Sequence, residues 1–178
     1  QSLGDAEFLP FVQKLLKNSG IDGTKICFEI TETAAIASFS QANRFIAALK
    51  EEQGCKFALD DFGTGLSSFG YLKHFPVDYL KIDGSFVRDL TSSPLSMAVI
   101  RSITDIAHVL DKRTIAEHTE NSDIFAALQS LPATTRLVAE RGTGPQTGVA
   151  RTLKARYRKP WPIIAGILAA TLVNHAVS

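Results

Sequence analysis

Four short runs rich in Ile, Val, Phe and Leu, separated by amphipathic helical stretches, restrict this chain to a parallel α/β arrangement. The runs fall near residues 25–30, 56–60, 77–82 and 113–117 and read as strands. Helical spacing recurs in Phe8, Leu9, Phe11, Val12, Leu15 and Leu16, and again in Phe39, Ala42, Phe45, Ile46 and Leu49. A third helix is expected from Pro94 to Leu110, and a last from Ser122 to Leu131 with Ser122 as its N-cap. Strands alternating with helices make βα units and a parallel sheet, and the short runs read as apolar on both faces. A closed eight-stranded (β/α) barrel typically takes about 250 residues, so if these four strands belong to a barrel, half of it is missing.

Charged residues recur at the ends of these runs. Glu29 lies near the end of the first, Asp60 and Asp61 end the second, Lys81 and Asp83 the third, and Glu117 the fourth. A single acid at a strand end is ordinarily just solvated. Four in succession at the carboxyl ends, where parallel α/β folds place function, point to one shared rim. Clustered carboxylates are hard oxygen ligands that suit Mg²⁺ or Mn²⁺ better than zinc, and two such ions can clamp an in-line phosphoryl displacement. Lys81 would position a water or neutralise phosphate. The Gly/Ser-rich loop from Phe62 to Ser68 follows the paired acids directly and is able to order over a ligand.

Charge divides the chain. Residues 1–131 carry 12 Lys/Arg against 17 Asp/Glu, whereas residues 132–178 carry 7 against one. The acidic body lacks the basic footprint of a nucleic-acid binder. Cys27 and Cys55 each sit in an apolar run and read as small buried hydrophobes, consistent with a reducing cytoplasm. The chain begins at Gln1 and its single methionine is Met97, so it reads as a fragment.

Several segments carry a family resemblance. Phe28-Glu29-Ile30-Thr31-Glu32-Thr33, Asp60-Asp61-Phe62-Gly63-Thr64-Gly65-Leu66-Ser67-Ser68, Leu80-Lys81-Ile82-Asp83 and Thr114-Ile115-Ala116-Glu117 resemble the E-[IL]-T-E, DDFGTGxSS, LKID and AEGVE segments of bacterial EAL-type cyclic di-GMP phosphodiesterases. The likeness spans about residues 1–131, the C-terminal half of such a domain. It implies a signalling enzyme with a TIM-like barrel that hydrolyses cyclic di-GMP to a linear dinucleotide using two Mg²⁺ or Mn²⁺ ions, commonly as a homodimer. By motif position Glu29, Asp60, Asp61 and Glu117 would be metal ligands, with Lys81 and Glu117 catalytic. Glu32, Asp83 and Glu120 would be supporting acids. Gly63, Thr64, Gly65, Ser67 and Ser68 would form a loop coupling the site to the dimer interface.

The departures define a competing expectation. The Glu-Ala-Leu motif, the asparagine ligand expected just before Gln1 and the late Gln-Gly-Tyr segment have no counterparts here, and His118-Thr119 stand where the family has Gly-Val. These losses favour slow turnover, or a non-catalytic module that binds cyclic di-GMP or a partner protein. Residues 132–178 read as a basic linker and a short hydrophobic helix unrelated to the body. The apolar run from Ile163 to Val173 is shorter than the roughly 20 residues of a spanning helix. Tyr157 to Gly166 resembles a helix start in a bacterial cation-exporter family. A join of two reading frames is favoured over a membrane contact through residues 160–177 or a helix packed on the barrel edge. The expected location is cytoplasmic, with membrane association only through that segment.

Overall fold

A computed structural model describes residues 3, 5–64 and 69–131, together with the backbone of residues 137–139. Loop residues Gly65, Ser67 and Ser68, and the expected linker and hydrophobic helix of the tail, lie outside the described residues. The elements run α1 (Phe8–Ser19), β1 (Cys27–Thr31), α2 (Glu32–Ala37), α3 (Phe39–Gln53), β2 (Lys56–Phe62), β3 (Tyr79–Ile82), α4 (Gly84–Arg88), α5 (Pro94–Val109), β4 (Arg113–Ala116), α6 (Ser122–Gln129) and β5 (Leu137–Ala139). Two 3₁₀ turns, Gly23–Lys25 and Phe69–His74, lead into β1 and β3.

Local chemistry sets the boundaries. Gly20 and Gly54 end α1 and α3 in the left-handed conformation that glycine adopts without strain. Ser93 caps α5 ahead of Pro94, whose missing N–H costs nothing in a first turn. The α6 cap is Asn121 rather than Ser122: its side-chain oxygen accepts from the Asp123 and Ile124 amides. No helix among the described residues is long and apolar enough to cross a membrane.

The strands form one parallel sheet in the order β1-β2-β3-β4-β5. β5 lies beyond the boundary expected at residue 131 and extends the sheet past β4. Contrary to the expectation of strands apolar on both faces, the two faces differ. Phe28, Ile30, Phe57, Leu59, Leu80, Ile82, Thr114 and Ala116 share one side and are all buried. That side packs into a continuous core with Val12 and Leu16 of α1, Phe45 and Leu49 of α3, and Ile100 and Ile103 of α5. Register places Glu29, Ala58, Asp60, Tyr79, Lys81, Arg113 and Ile115 on the other side, because side chains alternate along a strand. Cys27 and Cys55 are both free, and burial pushes their thiols up, to about 12 and about 11.

The amino ends of the strands are fastened around Asp78. Its carboxylate accepts the Phe57 amide at 2.9 Å and meets Lys50 at 2.9 Å and Lys56 at 3.3 Å. Burial alone would raise this carboxyl, but the Lys50 and Phe57 hydrogen bonds and the two lysine charges hold it below the ordinary value of 3.8. Replacing Asp78 with alanine is expected to cost about 2 kcal/mol, chiefly the loss of charge-assisted bonds to the buried Phe57 amide and the half-buried Lys50. Because the folded pKa is depressed, this stability is present above pH 3.8 and disappears as pH falls through the folded value. Thermal melts of both proteins at neutral and acid pH should therefore converge at the acid end.

Candidate functional site

The polar side of the sheet collects its charge at the carboxyl ends of the strands. Lys81, on β3, is 5% exposed. Its Nζ lies 3.1 Å from Glu29 Oε1 on β1, 2.9 Å from Asp60 Oδ1 on β2 and 2.6 Å from Glu117 Oε1 just past β4. Strand pairing explains this convergence. Leu59 is level with Leu80, which brings the following pair, Asp60 and Lys81, together on one face. Lys81 is level with Ile115, so Glu117 emerges two residues later on that same face.

Asp61 needs a separate explanation, since consecutive strand residues point to opposite sides. Between the Leu59–Leu80 and Phe62–Ile82 pairs, β2 holds two residues where β3 holds one, a bulge at Asp60-Asp61. Asp61 takes a left-handed φ of 55°, which aspartate tolerates better than most residues. The bulge gives both acids to the site while Leu59 and Phe62 both stay buried on the helix side. Sequence reading missed it, although buried phenylalanine three residues after leucine breaks strict alternation and was the available signal.

One carboxylate oxygen each from Asp60, Asp61 and Glu117 lie within 4.8 Å of one another, close enough to share a cation. Asp60 Oδ1 is buried and meets the Lys81 charge without a directed hydrogen bond, so its lone pairs remain suited to a metal ion. The donor set is all oxygen. His118, beside Glu117, turns its ring against Gly84, where an added Cβ would collide with Cδ2. These residues fit a hard divalent cation such as Mg²⁺ or Mn²⁺ better than zinc.

The electrostatics is uneven. Burial alone would depress Lys81, but Glu29, Asp60 and Glu117 raise its pKa well above the ordinary lysine value, and it stays charged. Glu117 is also raised: burial, with Asp60 and Glu29, outweighs the pull of Lys81. A raised carboxyl facing a lysine-held acid pair is the profile of a proton acceptor.

The remaining expected residues occupy different positions. Glu32 is buried, accepting the Gly63 amide at 3.2 Å and the Tyr71 hydroxyl at 2.8 Å. Asp83 caps α4, accepting from the Ser85 amide at 2.8 Å and from its hydroxyl. Glu120 is exposed in the connection before α6. Thr64 donates its hydroxyl to the Asp61 carbonyl at 3.0 Å. Gly63 has a φ of 102°, and a Cβ there would stand 3.1 Å from Ile103. Tyr71 was not anticipated from sequence.

Comparison with known proteins supplies independent evidence. The family described as EAL domain matches residues 1–135. The cyclic di-GMP phosphodiesterase PdeB of Shewanella oneidensis is 40% identical over 130 residues, covering 73% of this chain. The crystal structure of the FimX EAL domain from Pseudomonas aeruginosa bound to c-di-GMP superposes with a TM-score of 0.67 at 31% identity over 75% of this chain. The manganese/cy-diGMP complex of Klebsiella pneumoniae BlrP1 gives 0.65 at 29% identity, covering 72% of this chain and 33% of that one. The chain spans only 15% of the PdeB length and 54% of the FimX chain.

Proposed function

This chain belongs to the EAL domain family, and from that membership we propose that its acidic rim takes part in metal-dependent hydrolysis of cyclic di-GMP to the linear dinucleotide. The observation that carries the reading is the convergence of Glu29, Asp60 and Glu117 on buried Lys81, with Asp61 brought alongside by the bulge. Asp60, Asp61 and Glu117 would hold a divalent cation, joined by Glu29. A bound ion of this kind supplies Lewis acidity at a phosphoryl oxygen and makes a nearby water acidic.

The protein's own groups do the rest. Lys81 stays charged and, fixed by three carboxylates, would present its positive charge to a water or a phosphate oxygen at the rim without reorganising during reaction. Through the carboxylate oxygen that does not hold the cation, Glu117 would accept the proton of an attacking water. Relatives named as cyclic di-GMP phosphodiesterases, and EAL structures described as holding that dinucleotide, support the choice of substrate.

A second reading, binding without cleavage, draws on the same lysine, because Lys81 already offsets part of the carboxylate charge that a cation would otherwise balance. Incubating the full chain with cyclic di-GMP and excess Mn²⁺, and separating products chromatographically, distinguishes the two. Metal-dependent formation of the linear dinucleotide is the expected result. Saturable retention of intact cyclic dinucleotide without product would support the second reading, and neither binding nor product would sink both.

A further inference from the structure

Glu32 is 3% exposed. A carboxylate that deep is stable only when its oxygens are hydrogen-bonded. Its two oxygens divide their work: Oε1 accepts the Tyr71 hydroxyl at 2.8 Å and Oε2 accepts the Gly63 amide at 3.2 Å. Both partners lie far from Glu32 in sequence. Gly63 follows Asp61 by two residues, in the segment where Thr64 also returns to the Asp61 carbonyl. Glu32 therefore fastens the exit of the bulge that aims Asp61.

Tyr71 is itself held rigidly. Its ring meets Phe39 edge-on at 6.5 Å and Phe75 at 6.3 Å, and those two rings stack at 5.6 Å. The hydroxyl is thus presented by an aromatic cluster at the start of α3 and the end of the 3₁₀ turn, outside the acid rim. From this geometry we propose that Tyr71 is a positioning residue, whose hydroxyl orients Glu32 so that Glu32 fixes the Gly63 amide and with it the Asp60-Asp61 bulge. Without the hydroxyl, Glu32 loses one of its donors while remaining buried, and its hold on Gly63 loosens. The inference rests on the reading of Asp60, Asp61 and Glu117 as a cation site.

The test uses the full chain and Tyr71→Phe, which removes one oxygen and keeps the ring. Exchange of the Gly63 amide, followed by NMR, should quicken about tenfold while amides of α5 stay unchanged. Mn²⁺ affinity, measured by electron paramagnetic resonance, should weaken about 10-fold, the lower end of effects from partners that orient metal ligands. In a Glu32→Ala background, adding Tyr71→Phe should change neither reading, because the hydroxyl acts through Glu32. Unchanged Gly63 exchange and unchanged Mn²⁺ affinity in Tyr71→Phe would overturn the proposal. If the unsubstituted chain binds no Mn²⁺, the cation reading fails, and Gly63 exchange alone then decides whether Tyr71 holds the bulge. Should Tyr71→Phe melt early, Glu32→Ala alone removes both acceptors, and a Gly63 amide that it leaves protected would count against the relay.

Discussion

Lys81→Met is expected to destabilise the metal-free protein by about 3 kcal/mol at neutral pH, the low end for removing one partner of a buried charge group. Three carboxylates lie within 3.1 Å of the Lys81 ammonium, and removing it leaves them facing one another. At this chain length the loss corresponds to a melting temperature lower by roughly 10 °C. Two conditions should restore stability: Mn²⁺, which replaces the lost cation, and acid, which protonates the acids. In the unsubstituted protein the Lys81 pKa is raised, so its contribution is in place wherever its three carboxylate partners are ionised, and on the alkaline side it is lost only as pH rises from 10.5 through the folded value. On the proposed hydrolysis, turnover should fall by at least about 100-fold, since Lys81 would face developing phosphate charge. Melts of the two proteins that coincide at pH 7 without metal would show that these contacts contribute nothing.

Glu117→Gln is expected to separate stability from function. Glutamine keeps the shape but neither accepts a proton nor supplies a charged ligand, so turnover should drop by at least about 1,000-fold. Stability should move the other way. The Glu117 pKa is raised above the ordinary 4.5, so its favourable contribution is present at acid pH and lost as pH rises through the folded value. At neutral pH the ionised side chain is a burden to the metal-free fold, and the neutral amide relieves it. The variant should therefore melt higher than the parent at pH 7 and lose that advantage near pH 4. Such a trade is common where acids are gathered for chemistry. Equal turnover in the two proteins would remove Glu117 from any catalytic role.

Strand positions were legible because Val, Ile, Phe and Leu runs with polar bounds admit few alternatives, and β1 to β4 fall close to their expected places. The acids at their ends were legible for the same reason, as ends are where side chains leave the sheet. That Glu29, Asp60, Lys81 and Glu117 share one face depends on strand register, which belongs to pairs of strands and to no single run. Runs of only four to seven residues also concealed their own alternation, hence the expectation of two apolar faces. α2 was missed because it starts at Glu32 directly from β1, with Thr31 serving as both last strand residue and N-cap. β5 is only Leu137–Ala139, too short for periodicity to register. Asp83 was expected to support the metal site, and the structure shows it capping α4, a local bond that the order Asp-Gly-Ser permits.

A Mn²⁺ titration of the full chain, followed by electron paramagnetic resonance, tests most directly whether Asp60, Asp61 and Glu117 form a cation site. The account predicts saturable binding that weakens by at least about 10-fold in each of Asp60→Asn, Asp61→Asn and Glu117→Gln. It predicts unaltered binding in Asp78→Ala, at the opposite end of the strands. Binding that never saturates, or that the three rim substitutions leave unchanged, would contradict it.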